Sequence, residues 1–265
     1  MTDLVVAALL GLVQGLTEFL PVSSTAHLVI AEKVFHLDPA RFGLSFDIAV
    51  HLGTALAVLL YFARTWIDLA VDVVRLRWRM PLRIAVGIVP AAVAGVLLES
   101  IVESQFRDVR MIAAMLVAGS LIFWLAERMA TQARPAGGLA MGDAVGMGLA
   151  QAVALLPGIS RSGITISAGL GLGLARADAT RFSFLLATPV IAGVGAKALL
   201  DARRSAELFA RPELGIVGFV VSFVAGIAAV AFLMRFLRRN SLTWFIPYRL
   251  ALAVVLVVVA LLGIA

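Results

Sequence analysis

Gln14 and Glu18 stand four residues apart in an otherwise apolar stretch that ends at Pro21. On a helix that spacing projects both side chains from one face, one turn apart. They offer an amide and a carboxylate oxygen beside a helix break, a donor set for a hard divalent cation, Mg2+ or Ca2+. Mg2+ characteristically adds waters and substrate phosphates to one or two carboxylates. The same two groups could instead only hydrogen-bond neighbouring helices. Past the break, Ser23, Ser24 and Thr25 can cap a new helix, whose unpaired N–H groups and positive dipole end suit an anion. His27 follows Ser24 by three positions and Ser23 by four, so its imidazole can reach a serine hydroxyl or a bound phosphate on the same face. That spacing allows a serine nucleophile with a histidine base, and equally a histidine that polarises a water or donates to a leaving phosphate.

Two further groups of residues carry possible chemistry. Asp47 and His51 form another i,i+4 pair, able to orient His27, act as a second base or support a metal from outside its shell, or simply to pair structurally. His36 sits beside Leu37-Asp38-Pro39 and reads as an exposed loop residue. The segment Pro157-Gly158-Ile159-Ser160-Arg161-Ser162-Gly163-Ile164-Thr165 puts an arginine at a helix start within apolar sequence. A guanidinium there needs an anion and can hold a phosphate through two parallel hydrogen bonds, with Ser160, Ser162, Thr165 and backbone N–H groups as further donors. Glu18 is the competing partner for Arg161, since buried cations require one. Gly169, Gly171 and Gly173 lie in an apolar helix without a preceding strand, so helix packing explains them better than a nucleotide loop.

The elements that must position these residues are set by composition. Of 265 residues, 62% are hydrophobic and 14% charged, with mean hydropathy +1.04; an ordinary soluble domain has about 45–50% apolar and about 25% charged residues. The chain belongs in lipid. Its net charge of +6 comes from Lys and Arg in short segments between apolar runs, with no basic stripe or aromatic platform, which argues against nucleic acid. Cysteine is absent, which removes disulfides, thiolate nucleophiles and Cys-ligated metals. Residues 4–20 lack the basic flank and cleavage site of a signal peptide and read as mature protein.

Six full spans are expected near 44–63, 84–100, 111–127, 182–200, 214–234 and 249–265, each near the roughly 20 residues a bilayer requires. Two apolar stretches are interrupted instead: 3–20 by Pro21-Val22-Ser23-Ser24, and 142–156 by Pro157-Gly158-Ile159-Ser160. Each reads as a re-entrant helix-break-helix hairpin. Non-helical backbone at membrane depth is tolerated only around a protein-lined or watery cavity, so both breaks should line a site.

The halves also resemble each other. Gly11, Leu12 and Gln14 recur 137 positions later as Gly148, Leu149 and Gln151, while Leu20, Pro21, Ser24 and Phe46 recur 136 positions later as Leu156, Pro157, Ser160 and Phe182. A single membrane domain over 1–265 is expected, with repeats of about 1–130 and about 138–265. One hairpin and three spans per repeat would invert the second copy and bring the hairpins together from opposite faces. Thirteen Lys and Arg lie near 64–83, 128–143, 176–181 and 235–249, against eight on the other side. The basic side is therefore expected to be cytoplasmic, with the first hairpin and both chain ends towards the outside.

The stretch Gln14-Gly15-Leu16-Thr17-Glu18-Phe19-Leu20-Pro21-Val22-Ser23-Ser24-Thr25-Ala26-His27-Leu28 resembles the first signature of the undecaprenyl-diphosphate phosphatases, also called bacitracin resistance proteins. Leu156-Pro157-Gly158-Ile159-Ser160-Arg161-Ser162-Gly163 resembles their second, and Phe46-Asp47 through His51-Leu52-Gly53-Thr54 a further block. The resemblance covers essentially the whole chain. It implies a multi-pass inner-membrane hydrolase with inverted repeats, dependent on a divalent cation, active towards the periplasmic side and often a homodimer. It would remove the terminal phosphate of a polyprenyl diphosphate, returning carrier lipid to peptidoglycan synthesis and conferring bacitracin resistance. By the same resemblance Glu18 and Gln14 form the metal-linked part, Ser24 and His27 the nucleophilic part, and Arg161 the phosphate clamp. Gln14 replaces an acid, which weakens any mechanism needing two carboxylates there, and Ala26 stands where glycine is more usual. The rival expectation is a flippase for the lipid phosphate, alone or combined with the phosphatase, because broken helices in inverted repeats also build transporters.

Overall fold

The computed structural model describes residues 2–105, 108–200 and 211–263, and these are helical throughout apart from turns and one isolated bridge between Arg134 and Leu174. The helices are α1 (Asp3–Phe19), α2 (Ser24–Val34), a single turn α3 (Pro39–Phe42), α4 (Leu44–Tyr61), α5 (Ala63–Val74), α6 (Arg79–Gln105), α7 (Val109–Met129), α8 (Met141–Val153), α9 (Arg161–Gly171), α10 (Arg176–Leu200), α11 (Pro212–Phe236) and α12 (Ile246–Leu261). Five of them, α6, α7, α10, α11 and the segment ending in α12, are long and apolar enough to cross a bilayer. α4 and α5, bent by 70° from each other, meet the same criterion only as a pair, so the described residues hold five such helices, or six if that pair is one span. Six spans and two hairpins were expected; the fold is an all-α membrane protein with five to six helices long and apolar enough to cross. Residues 264 and 265 of the last expected span lie outside the described residues.

α5 was expected to be loop. Its Arg64, Asp68 and Asp72 fall on one face at four-residue spacing, while Leu69 is buried and Trp66 packs on the core, so the segment is an amphipathic helix turned off the axis of α4. Such a helix satisfies lipid on one side and water on the other.

Ion pairs fix how the interrupted segments run. Asp3 at the start of α1 pairs with Arg41 just beyond α2, at 2.8 Å, and with Arg211 at 3.4 Å. The chain therefore enters at that end, breaks, and returns to it. In the second segment Arg134 plays the matching part, pairing with Asp143 of α8 at 2.7 Å and donating to the Leu172 carbonyl, beyond α9, at 3.0 Å. The two ends are opposite ones. Arg211, which meets Asp3, precedes the 25 residues of α11, while Leu242, just beyond that helix, donates its N–H to Glu127. Glu127 also receives Arg176 at 2.6 Å.

The packing exchanges between the halves. α1 lies along α11 and α8 along α6, so each hairpin is held mainly by a long helix of the opposite half. Both contacts are backbone-close at glycine. A Cβ added to Gly11 would stand 2.6 Å from the Gly218 carbonyl oxygen, and one added to Gly148 would stand 2.1 Å from that of Gly87. In lipid, where burying apolar surface gives helices no drive to associate, such small-residue contacts gain dispersion by close approach. Aromatic rings fill the space behind the breaks: Phe19 meets Phe184 edge-on at 5.5 Å between centroids, and Phe123 of α7 sits against Gly163 of α9.

Candidate active site

The first break follows from Pro21. A residue before proline is pushed out of helical geometry, and α1 stops at Phe19 with Leu20 extended. Ser23 then takes φ +73° before α2 begins at Ser24. In the second segment α8 ends at Val153, turns carry the chain through Pro157, Gly158 has φ +100° and Ser160 has φ +76° before α9 begins. A non-glycine residue in left-handed φ costs on the order of 1–3 kcal/mol and persists only where its surroundings hold it. Ser23 and Ser160 match in this geometry and lie 137 positions apart. The expected pairing of Ser24 with Ser160 is thus one residue out of step at the helix starts, where the 137 spacing of Gln14 and Gln151 continues.

Glu18, whose side chain is 3% exposed, is the hub between the breaks. One carboxylate oxygen meets Arg161 Nη2 at 2.6 Å. The other accepts from Ser24 Oγ at 2.7 Å and from Gln14 Nε2 at 3.1 Å, with His51 Nε2 at 3.7 Å. The structure therefore brings together residues 143 positions apart, and the Glu18–Arg161 pair weighed from sequence is present. A polar cavity of about 60 Å³ opens between the breaks, lined by Glu18, Ser23, Ser24, Thr25, Ser160 and Arg161 among others. Its size is several times what a single water needs.

Other expected residues take different places. His27 does not meet a serine hydroxyl. Its Nδ1 lies 2.7 Å from the Ser23 carbonyl oxygen, which can only accept, so Nδ1 carries the hydrogen. Nε2 is left to accept from the Tyr248 hydroxyl at 2.6 Å. The base that the Ser24 hydroxyl meets is Glu18, because on the first turn of α2 the side chain of Ser24 points back across the break towards α1. Ser162 donates to the Leu20 carbonyl at 3.3 Å and so joins the two breaks. Thr165 donates to the Arg161 carbonyl at 2.7 Å and contacts Ser183. Neither lines the cavity, since one and four positions into α9 their side chains have turned into the helix bundle. Asp47 and His51 line a neighbouring cavity of about 180 Å³ with Glu32, and Thr25 borders both cavities. His51 Nδ1 is bonded to the Asp47 carbonyl oxygen at 2.7 Å rather than to its carboxylate. His36 is exposed, as expected of a loop residue.

Whether the donors fit a divalent cation is decided by Gln14. Its Oε1 is buried without a hydrogen-bond partner while its Nε2 holds Glu18. An unpaired buried oxygen beside a carboxylate fits a hard cation, and among the described residues no cluster of three His, Cys, Asp or Glu offers a complete cage. The set thus suits an ion whose remaining ligands are waters and phosphate oxygens, the Mg2+ habit.

Two residues of this region were missed from sequence. Tyr248 holds His27, and Arg249, assigned to a basic loop, is fully buried. A signal existed: Arg249 is a lone cation entering the apolar run of α12, and an intramembrane ionisable group is a functional candidate by default.

Comparison with known proteins finds relatives matching nearly the whole chain. The chain is 42% identical over 272 residues to a protein of Rubrobacter xylanophilus named undecaprenyl-diphosphatase, covering 99% of this chain and 100% of that one. A protein of the same name from Thermodesulfovibrio yellowstonii is 42% identical over 258 residues, 97% of each chain. One from Corynebacterium striatum is 43% identical over 267 residues, 97% of this chain and 93% of its own. The profile of the family described as bacitracin resistance protein BacA matches residues 7–255, and the chain, with its two facing hairpins, belongs to that family.

Proposed function

We propose that this protein hydrolyses undecaprenyl diphosphate to undecaprenyl phosphate and inorganic phosphate, recycling the carrier lipid for peptidoglycan synthesis and conferring resistance to bacitracin. The observation that carries the reading is the Glu18 carboxylate, which holds the Ser24 hydroxyl from one hairpin and the Arg161 guanidinium from the other in a single polar cavity. The terminal phosphate enters that cavity, and Arg161 leaves Glu18 to grip it with two hydrogen bonds. Ser24 Oγ attacks the terminal phosphorus as its proton passes to Glu18. The bridging P–O bond breaks, and Glu18 returns the proton to the departing lipid monophosphate. Water then attacks the phosphoserine, losing a proton to Glu18, which passes it back to Ser24 as inorganic phosphate leaves. Arg161, the start of α9, and the hydroxyls of Ser23, Thr25 and Ser160 stabilise the transferring group by positioning and charge. His27 fixes the Ser23 carbonyl, and His51 flanks Glu18. Glu18 and Gln14 would hold a divalent cation, Mg2+ or Ca2+, which would neutralise charge on the diphosphate oxygens.

The membrane is the bacterial inner membrane. The halves, about 1–130 and about 138–265, are inverted copies of one unit, a reading supported by the exchanged packing of α1 on α11 and α8 on α6. Without the buried Arg249, the basic end keeps twelve Lys and Arg against eight, so it faces the cytoplasm and the first hairpin opens towards the periplasm.

The test is phosphate release from a C15 or C55 prenyl diphosphate by protein purified in detergent, with Mg2+ or with EDTA. Metal-dependent release is expected, and Glu18→Gln and Arg161→Ala should each reduce it about a hundredfold or more, the scale of losing a proton-transfer or charge-stabilising group. Folded wild-type protein that releases no phosphate would overturn the assignment.

A further inference from the structure

Arg249 is completely buried, yet the partners it has among the described residues include no carboxylate. Its guanidinium donates to the Pro21 carbonyl at 3.2 Å, to the Gly158 carbonyl at 2.9 Å and to the Ile159 carbonyl at 3.2 Å, which are backbone groups of both breaks. On α7 it donates to the Leu116 carbonyl and to Ser120 Oγ, each at 3.1 Å, and it lies over the Phe123 ring at 4.6 Å. Five oxygens and a π face on one planar cation match the fixed fork of a guanidinium, which no other side chain offers.

The acceptors explain the placement. Two interrupted helices leave carbonyl groups without helical partners, and inside a membrane protein each such group is costly unless paired. Arg249 gathers three of them from two hairpins. The peptide bonds are trans among the described residues, and in a trans peptide the N–H points opposite to the C=O. With the Ile159 carbonyl drawn to Arg249, the N–H of Ser160 is turned to the other side, where Ser160 lines the phosphate cavity. Arg249 thereby also places a second positive charge behind a cavity whose own Glu18 and Arg161 cancel. α7 leaves room for it: a Cβ added to Gly119 would stand 2.4 Å from Arg249 Nη2 and 2.9 Å from the Ile159 oxygen.

We propose that Arg249 is a positioning residue for the phosphatase reaction, which welds the two breaks into one site and aims the Ser160 N–H at the transferring phosphoryl group. The activity arm rests on the reaction proposed above; a second arm does not. Arg249→Met, Arg249→Lys and Gly119→Ala would be purified in detergent beside the wild type. Backbone hydrogen exchange would be followed over 20–25 and 155–163, and kcat and KM measured with a C15 diphosphate. Both segments should exchange about tenfold faster in Arg249→Met, a local opening with the remaining helices unchanged. The kcat should fall about a hundredfold, as for a lost transition-state donor, while KM moves by less than about threefold. Arg249→Lys, which keeps charge and three donors, should recover part of kcat. Gly119→Ala, which displaces the guanidinium without removing it, should reproduce the same signature if Arg249→Met does not fold. Exchange at only one break, or at neither, overturns the weld even if the wild type proves inactive on prenyl diphosphates. Folded Arg249→Met with wild-type kcat overturns the positioning role while leaving the phosphatase standing.

Discussion

Glu18 concentrates the polar contacts of the candidate site, because one carboxylate joins a hydroxyl, a guanidinium and an amide that come from three helices. Since Ser24 Oγ is bonded to Glu18 and His27 to a backbone carbonyl and Tyr248, the two candidate nucleophile partners are separable by mutation. Ser24→Ala should lower kcat about a thousandfold or more, the scale of losing a group that exchanges a proton with its base, and Tyr248→Phe by no more than about tenfold, the worth of one neutral hydrogen bond. Phosphate release by the two purified variants checks this; an inactive Tyr248→Phe with an active Ser24→Ala would move the proton transfer to His27. The residue types were legible in sequence because charged groups in apolar runs are conspicuous, so Glu18 and Arg161 stood out. Their pairing was legible too, as the alternative to a phosphate at Arg161, but the bond from Ser24 to Glu18 was not. Spacing says that His27 can reach Ser24, but the left-handed φ of Ser23 swings its carbonyl under the imidazole first. Arg249 escaped notice because its partners are backbone carbonyls, which sequence does not label.

At the scale of elements, the breaks were readable from Pro21 and Pro157, since proline forbids the helix that flanking apolar residues would continue. The division of labour between them emerges once the N-caps Ser23 and Ser160 are matched. Ser24 and Arg161 then occupy the same position in the two hairpins, a hydroxyl in one and a cation in the other, and Leu155 stands where the first hairpin has Glu18. Each hairpin is thus incomplete alone, and its grip on the long helix beneath it matters. Gly148 touches the Gly87 carbonyl, and Gly11 that of Gly218, so no side chain fits at either contact. Gly148→Leu and Gly11→Leu should each lower stability by about 1–3 kcal/mol or more, the cost of overpacking, seen as an earlier thermal transition in detergent. Gly142→Leu, with nothing near its added Cβ, should leave the transition where it is. The helix α5 was illegible for the opposite reason: its charges at four-residue spacing look like loop polarity unless the apolar face between them is counted.

Across the whole molecule, the candidate site lies where two hairpins entering from opposite ends of the bundle meet, and its openings are set by which end each hairpin enters from. Asp3, Arg41 and Arg211 mark the first end; Glu127, Arg134, Asp143 and Arg176 mark the second. The two interrupted segments were legible because Pro21 and Pro157 stand inside apolar runs, but charge counting alone placed Arg249 in a loop it does not occupy. The absence of cysteine allows a direct reading of orientation. Asp38→Cys lies at the first end and Arg77→Cys at the basic end, and both positions are exposed. In intact cells a membrane-impermeant maleimide should label Asp38→Cys and spare Arg77→Cys until the membrane is permeabilised, because translocating the more basic end is disfavoured. Labelling of Arg77→Cys alone in intact cells would invert the protein, turning the first hairpin to the cytoplasm. Labelling of both would mean that the chain inserts in two orientations, as a nearly balanced distribution of charge permits.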